Sequence, residues 1–268
     1  MPSFMELHMS PATNSIFIIS SAGGNNTALE ILESSRDREY YERRGSELMN
    51  IGRPYDVEQS GFIILQDSRM EMAGGEFCGN ASRAGALVLS HALSLPQFRF
   101  SVSGTQHFVK ACIADKHLNG AYVQCDFLKL PSNVQHITLS TGVPAFLVDL
   151  GGIVHVLIEA PFPDDEASYT RQHREVMDEL GLQDRDAVGV NWIQRHGNKL
   201  MLHPVVWVRA IDTFFYETSC GSGSIAASFA TGSEFIQQPS GKTIRVTHDR
   251  DITSLSSEME IVHVIEPS

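Results

Sequence analysis

No stretch of this 268-residue chain is apolar for the ~20 residues that a membrane-spanning helix needs. Met1 to Ser10 lacks the basic start and apolar core of a secretory signal. Lys and Arg total 20 against 32 Asp and Glu, a net charge of −12, and they form no cluster that could track a phosphate backbone. Four cysteines in a chain this long build no disulfide framework, and none pairs as Cys-x-x-Cys at metal-ligand spacing. No Gly-rich phosphate loop or dinucleotide fingerprint occurs, since Gly23-Gly24 has the wrong spacing. No lysine stands in a context that suggests a Schiff base, so no cofactor is expected. These absences leave a chain of the reducing cytoplasm with a small-molecule partner and neither nucleic acid nor membrane as a target. A homodimer is the default assembly for such a chain.

What is present fits an ordinary globular protein, with 42% hydrophobic and 19% charged residues. The length suits one large domain or two of about 130 residues. Strands are expected at Ser15 to Ser20, Phe62 to Leu65, Arg69 to Met72, Phe108 to Ala114 and Ala121 to Phe127. The last two flank an Asn119-Gly120 hairpin turn. Thr27 is read as the cap of a short helix running to about Glu33, and a charged helix is expected over Arg36 to Met49. A Pro/Ser/Asn stretch at Leu128 to Ser132 marks a boundary. Beyond it, strands are expected at Phe146 to Asp149, Val154 to Ile158, Ala187 to Gln194, Val205 to Ile211, Thr243 to Thr247 and Met259 to Ile265. A helix is placed near Arg171 to Leu180. The expected class is α+β, in two similar lobes of mostly antiparallel strands, each around one central helix. The lobes are 1–130 and 131–268, with the last strand able to return to the first lobe and the site in the cleft between them.

Two segments half a chain apart carry the chemistry. Glu76-Phe77-Cys78-Gly79-Asn80-Ala81 and Glu217-Thr218-Ser219-Cys220-Gly221-Ser222-Gly223 each end an extended run in Cys-Gly and continue into small residues that open a helix. The first turn of a helix leaves backbone N–H groups unpartnered and carries partial positive charge. That environment binds a carboxylate and favours thiolate over thiol. Gly79 and Gly221 leave the backbone open to a ligand. A single Cys-Gly-x-Gly turn is more often structural than catalytic. Two of them, each strand-to-helix, suggest paired thiols: one removes a proton from a carbon and the other delivers one to the opposite face. Cys112 and Cys125 sit on the hairpin strands and are read as packing residues.

The two segments resemble the cofactor-independent amino-acid racemases and epimerases of the diaminopimelate epimerase fold. That family carries Cys-Gly-Asn-(Gly/Ala) in its first half and Cys-Gly-(Ser/Thr)-Gly in its second. The resemblance implies catalytic roles for Cys78 and Cys220. It also implies substrate contacts from Asn14, Gln59, Gly79, Asn80, His155, Glu217, Gly221 and Ser222. Within the family the chain is similar to the histidine racemases that supply D-histidine for opine-type metallophores. Glu58-Gln59 before Gly61-Phe62-Ile63, Val154-His155, and Glu217 three residues before Cys220 carry that likeness. Glu58 and Tyr216, with Phe214 and Phe215, are the candidates for reading the substrate side chain.

Departures from diaminopimelate epimerases point away from their substrate. This chain has Gly152-Ile153-Val154-His155 where they carry Gly-Asn-Pro-His, and Gly189-Val190-Asn191-Trp192 where they carry an Asn-Val motif. Thr213 and Phe214 stand nearest their Glu-Arg pair. Without those polar groups a distant second carboxylate would be buried unpaired, which is costly. Histidine is the favoured substrate. Diaminopimelate, a proline-type racemase, and a non-catalytic amino-acid-binding or thiol-sensing protein remain the rivals.

Overall fold

The computed structural model describes residues 12–197, 199–209 and 212–267. Among them strands far outnumber helices, a mixed α+β arrangement. The chain divides into two units. The first holds the described residues up to Ser21, then Asn25–Phe127, then those from Ser256 onward. The second holds Ala22–Gly24 and Leu128–Leu255.

The first unit is built from β1 (Ile16–Ser21), β2 (Gly24–Leu32), α1 (Arg38–Gly52), β3 (Val57–Ile64), β4 (Arg69–Met72), α2 (Gly79–Leu93), β5 (Gln97–Val102), β6 (Val109–His117) and β7 (Gly120–Leu128). The chain's last strand, whose residues from Ser256 onward belong to this unit, pairs antiparallel with β1 and closes the sheet upon itself. Helix α2 packs against β1, β3, β4, β5 and β6, and every residue from Gly79 to Ser90 is buried. A helix enclosed on all sides must be apolar or small all round. The run Gly-Asn-Ala-Ser-Arg-Ala-Gly-Ala-Leu-Val-Leu-Ser fits that demand with one conspicuous exception, Arg83. A Cβ on Gly85 would stand 2.8 Å from Met70 Cγ, so this turn requires glycine for close approach. Outside the sheet, α1 buries only Tyr41, Gly45, Leu48 and Gly52, one narrow stripe, against Phe62, Val57 and Ile18.

The second unit contains β8 (Asn133–Thr138), β9 (Pro144–Asp149), β10 (Val154–Ile158), α3 (Glu166–Leu180), β11 (Ala187–His196), β12 (Lys199–Val208), β13 (Thr213–Tyr216), α4 (Gly221–Thr231), β14 (Phe235–Gln237), β15 (Thr243–Asp249) and the start of β16 (Ile252–Ile265). Its strand order is β16-β15-β14-β12-β11-β10-β9-β8, with β13 on β12. Strand parity sorts the side chains, because neighbours along a strand face opposite ways. Val154, Val156, Val188, Val190, Trp192, Val205 and Trp207 form one core with Val176 and Met177 of α3. Their alternates, His155, Gly189 and Asn191, therefore face the other way, the side on which α4 lies across β9 to β12, β14 and β15.

Most expected elements are present, and the differences have physical reasons. The helix expected from Thr27 to Glu33 is strand β2, paired in parallel with β3. Thr27 to Leu32 are all buried, so the segment is a two-faced strand interior that periodicity alone cannot tell from helix. Strands β5, β8 and β14 were not expected, being short or largely exposed. The reading of Met1 to Ser10 and the Ile211 end of the expected Val205 to Ile211 strand lie outside the described residues. No helix among the described residues is long and apolar enough to cross a membrane. Gly85→Val should destabilise the protein by about 1–3 kcal/mol through overpacking, more than the ~0.5–1 kcal/mol of helix propensity it gains. Gly152→Ala, where nothing lies within 4 Å, should change stability by less than about 0.5 kcal/mol. Urea unfolding of both variants checks the contrast.

Candidate active site

In the first unit, the segment before Cys78 is pinned from both sides. Ser103 Oγ donates to the Glu76 carbonyl at 2.8 Å, and Phe77 packs edge-on against Phe127 at 5.2 Å. Gly104, at φ 71°, lies directly beneath Phe77, where a Cβ would meet the Phe77 nitrogen at 2.3 Å. Extended backbone at Cys78 (φ −136°, ψ 116°) makes it the N-cap of α2. Its sulfur accepts the Ala81 N–H at 3.4 Å, and its thiol donates to Gln59 Oε1 at 3.1 Å. The Gln59 amide is held in turn, since Nε2 donates to Asn25 Oδ1 at 2.5 Å and Thr27 Oγ1 at 2.7 Å. Asn25 adopts left-handed backbone, φ 47°, and is buried. Beside Gln59, Glu58 exposes part of its surface to water. Protein on its other sides pushes its carboxyl up to about 7, against the lowering effect of a backbone N–H from Asn25.

The second unit repeats this cap around Cys220 (φ −130°, ψ 109°), the N-cap of α4. Its sulfur accepts the Gly223 N–H at 3.3 Å, and its backbone N–H donates to buried Gln238 Oε1 at 2.8 Å. In both caps a serine four residues on returns its hydroxyl to the cysteine carbonyl: Ser82 at 2.7 Å and Ser224 at 2.6 Å. Thr218 packs so closely on Gly24 that a Cβ there would stand 2.0 Å from Thr218 Oγ1. Burial, the Glu217 charge and a hydrogen bond from the thiol to Glu217 all push the Cys220 thiol well up; the Gly223 N–H and Ser222 pull it down. The expected preference for thiolate at a helix start is thus reversed at Cys220, because desolvation and an adjacent carboxylate outweigh the first-turn amide.

Facing α4 from the sheet are His155 and Asn191, both fully buried. Asn191 Nδ2 donates to His155 Nδ1 at 3.0 Å, which leaves the ring proton on Nε2. Burial pushes the His155 imidazole down to about 3, so it is neutral at physiological pH. His155 Nε2 and Asn191 Oδ1 have no hydrogen-bond partner among the described residues. Two glycines make room for the pair. A Cβ at Gly189 would meet His155 Nδ1 at 2.2 Å, and one at Gly223 would stand 3.0 Å from Cys220 Sγ and 3.1 Å from Asn191 Oδ1.

The structure therefore brings Gln59, Gly79 and Asn80 to Cys78, and Glu217, Gly221 and Ser222 to Cys220, with Ser222 Oγ 3.7 Å from its sulfur. Asn14 is not brought into the Cys78 network. Its side chain is exposed and its N–H bonds Ile31, about 13 Å along β2 from Thr27 at the usual strand rise. Tyr216 faces α3 rather than α4. It stacks on Phe162 at 4.8 Å and bonds His203 at 2.8 Å, so its ring is taken up in the core. Phe214 shares that face, whereas Phe215 takes the opposite one and is exposed. Sequence reasoning missed Asn25, Arg83, Asn191 and Gln238. Asn191 was findable as a lone polar residue at an inward position of an apolar strand, and the serine four residues after each cysteine was a visible repeat.

The fold is that of epimerase-like proteins of the PhzF type. A PhzF-family phenazine biosynthesis protein of Bacillus anthracis superposes with a TM-score of 0.63 at 11% identity, covering 96% of this chain and 99% of that one. A predicted epimerase of Pseudomonas aeruginosa gives 0.63 at 14%, covering 95% and 99%. A PhzF-family protein of Enterococcus faecalis gives 0.58 at 15%, covering 95% and 98%. Within that class the chain belongs to the family described as the histidine racemase CntK N-terminal domain, whose model matches residues 17–264. It is 28% identical over 182 residues to a histidine racemase of Fusobacterium nucleatum, covering 65% of this chain and 64% of that protein, so it spans less than two thirds of that relative. It is 26% identical over 219 residues to a histidine racemase of Staphylococcus aureus, covering 75% and 74%.

Two buried neutral histidines make the second unit acid-sensitive. His155 is held down to about 3 and His173 to about 4, each mainly by burial, while in the unfolded chain both take a proton near 6.5. The unfolded state therefore binds more protons below 6.5. Stability should be full above that pH and fall as pH drops toward 4, by up to about 1.4 kcal/mol per pH unit for each histidine. Urea unfolding at pH 7.5, 6 and 5 should show this slope, and a His173→Gln variant should flatten it.

Proposed function

We propose that this chain is an amino-acid racemase that needs no pyridoxal phosphate and uses Cys78 and Cys220 as a two-base pair, converting L-histidine to D-histidine. The observation that carries the reading is the duplicated cap. Each cysteine sulfur sits on the first turn of a buried helix, bonded to the third amide, with a designated acceptor for its proton. One cysteine, as thiolate, takes the α-proton while the other, as thiol, returns a proton to the opposite face. The first-turn amides at Gly79 and Gly221 suit the substrate carboxylate, and glycine leaves them open to it. At Cys220 burial and the Glu217 carboxylate hold the proton on sulfur, which suits this thiol to the proton-donating role.

Histidine as substrate is supported by the family and by the names of the relatives in Fusobacterium and Staphylococcus. Diaminopimelate is disfavoured by the side chains at the positions where its second carboxylate would need partners. The space an Asn side chain would need at position 189 is filled by the His155 ring, and Phe214 packs against His173 and under Arg174. Thr213 and Phe214 themselves offer no charged partner to a second carboxylate where that family carries a Glu-Arg pair. A role in supplying D-histidine for opine-type metallophores rests on the family likeness alone.

The test offers each L-amino acid and diaminopimelate to purified protein without added cofactor and separates enantiomers by chiral chromatography. D-histidine should form, and Cys78→Ala or Cys220→Ala should each cut the rate by about 10²–10⁴-fold. Full activity in either variant would overturn the two-base reading, and conversion of diaminopimelate alone would overturn the substrate.

A further inference from the structure

Helix α4 starts on a cap that its own sequence cannot complete. In a capping box the cap side chain takes the N–H of the third helical residue, and that residue's Glu or Gln side chain returns to the cap N–H. Cys220 makes the first half of this exchange with the Gly223 N–H. The second half is closed to it, because the third residue is glycine. A Cβ there would stand 3.0 Å from Cys220 Sγ and 3.1 Å from Asn191 Oδ1. The missing acceptor comes instead from Gln238, just after β14 and fully buried.

Gln238 Oε1 accepts the Cys220 N–H at 2.8 Å. Its Nε2 donates to Ser224 Oγ and to the Ile236 carbonyl, each at 3.0 Å. Ser224 Oγ in turn donates to the Cys220 carbonyl at 2.6 Å. One amide therefore holds both backbone polar groups of Cys220, the N–H directly and the carbonyl through Ser224. It can stand only one way round, since the Cys220 N–H can only donate and the Ile236 carbonyl can only accept. The loop that carries Gln238 is itself tied down. Gln238 N–H donates to the Lys242 carbonyl at 2.8 Å, and Ser240 N–H donates to the Thr218 carbonyl at 3.0 Å. All these residues belong to the second unit.

We infer that Gln238 is a positioning residue for Cys220: from outside α4 it supplies the half of the capping box that Gly223 cannot, and so fixes where the sulfur stands on the first turn. Glycine leaves room beside the sulfur, and the glutamine restores the rigidity that glycine gives up. The purpose of this arrangement rests on the racemase reading, but the arrangement itself does not depend on turnover.

Gln238→Glu is the near-isosteric probe. A protonated carboxyl keeps the acceptor for the Cys220 N–H and one donor for its neighbours. An ionised one has no donor and sets an oxygen against the Ile236 carbonyl. The variant should therefore loosen Cys220 as pH rises. Its kcat per folded molecule should lie within about threefold of wild type at pH 6 and fall to about a tenth to a hundredth of it by pH 9.5, with KM for histidine changed less than about threefold. The titratable groups of the neighbouring elements are Cys220 and Glu217 before α4, Lys242 in the loop, and Arg245, His248 and Asp249 on β15. Both proteins carry them, so the ratio of variant to wild type removes their steps.

Hydrogen exchange read by mass spectrometry at pH 8.5 follows the same turn without turnover. In Gln238→Glu the Cys220–Ser224 peptide should exchange at least about tenfold faster than in wild type, while the Cys78–Ser82 peptide keeps its rate. A folded variant with wild-type exchange at Cys220–Ser224 would overturn the inference, as would faster exchange there with wild-type kcat at every pH. If Gln238→Glu does not fold, Ser224→Ala, which frees the Cys220 carbonyl alone, takes its place. It should lower kcat several-fold and quicken exchange in that one peptide, and a wild-type value of either overturns the inference. If no amino acid is racemised, the exchange comparison still decides whether Gln238 holds Cys220, so its failure is distinct from failure of the racemase reading.

Discussion

A helix must begin somewhere, and its first N–H groups must find acceptors outside it. In both units of this chain the third amide of a buried helix finds a cysteine sulfur, and a serine hydroxyl one residue later closes back on the cysteine carbonyl. This double bond pattern fixes the sulfur relative to the helix axis to within hydrogen-bonding tolerance. Everything around it follows from keeping that turn narrow. Gly79 and Gly221 carry no side chain across the amides, and Gly223 lets the sulfur and Asn191 approach from two sides. Gly104 and Gly24 admit the segments just before each cysteine, at Phe77 and Thr218. Sheet closure around α2 and the layering of α4 over its strands are the larger means to the same end, keeping water from the helix starts.

The two thiols have been given unlike neighbours. Cys78 donates to an amide whose orientation is locked by Asn25 and Thr27. Cys220 donates to a carboxylate, with a neutral histidine and an asparagine on the facing strands. The partial charge of a helix end is worth about half an elementary charge, whereas full burial and a whole carboxylate are larger effects. A helix start alone therefore does not make a thiolate. On the proposed two-base mechanism, the local partners would set how readily each sulfur parts with its proton.

Much of this was legible in the sequence, because it was written locally. Cys-Gly followed by small residues announces a helix start, and the Asn119-Gly120 hairpin and the charged helices declared themselves by their turns and periodicity. Segments buried on both faces were illegible by the same logic. Thr27 to Leu32 reads equally as helix or strand until β3 is known to lie beside it. Asn14 came from the family resemblance and Tyr216 from its place before the second cysteine segment; Asn14 bonds far along β2 from Thr27, and strand parity turns Tyr216 toward α3. Asn25, Gln238 and Arg83 act through partners distant in sequence, a kind of information that spacing does not contain.

The central claim is that two separate thiols serve the two faces of one carbon. It is tested most directly by running L-histidine in D2O and measuring deuterium at the α-carbon of both enantiomers during the first few per cent of conversion. The account predicts that the D-histidine formed is deuterated from the start while the remaining L-histidine keeps its proton. Protiated D-histidine, accompanied by deuterium washing into recovered L-histidine, would mean a single base working on both faces and would contradict it.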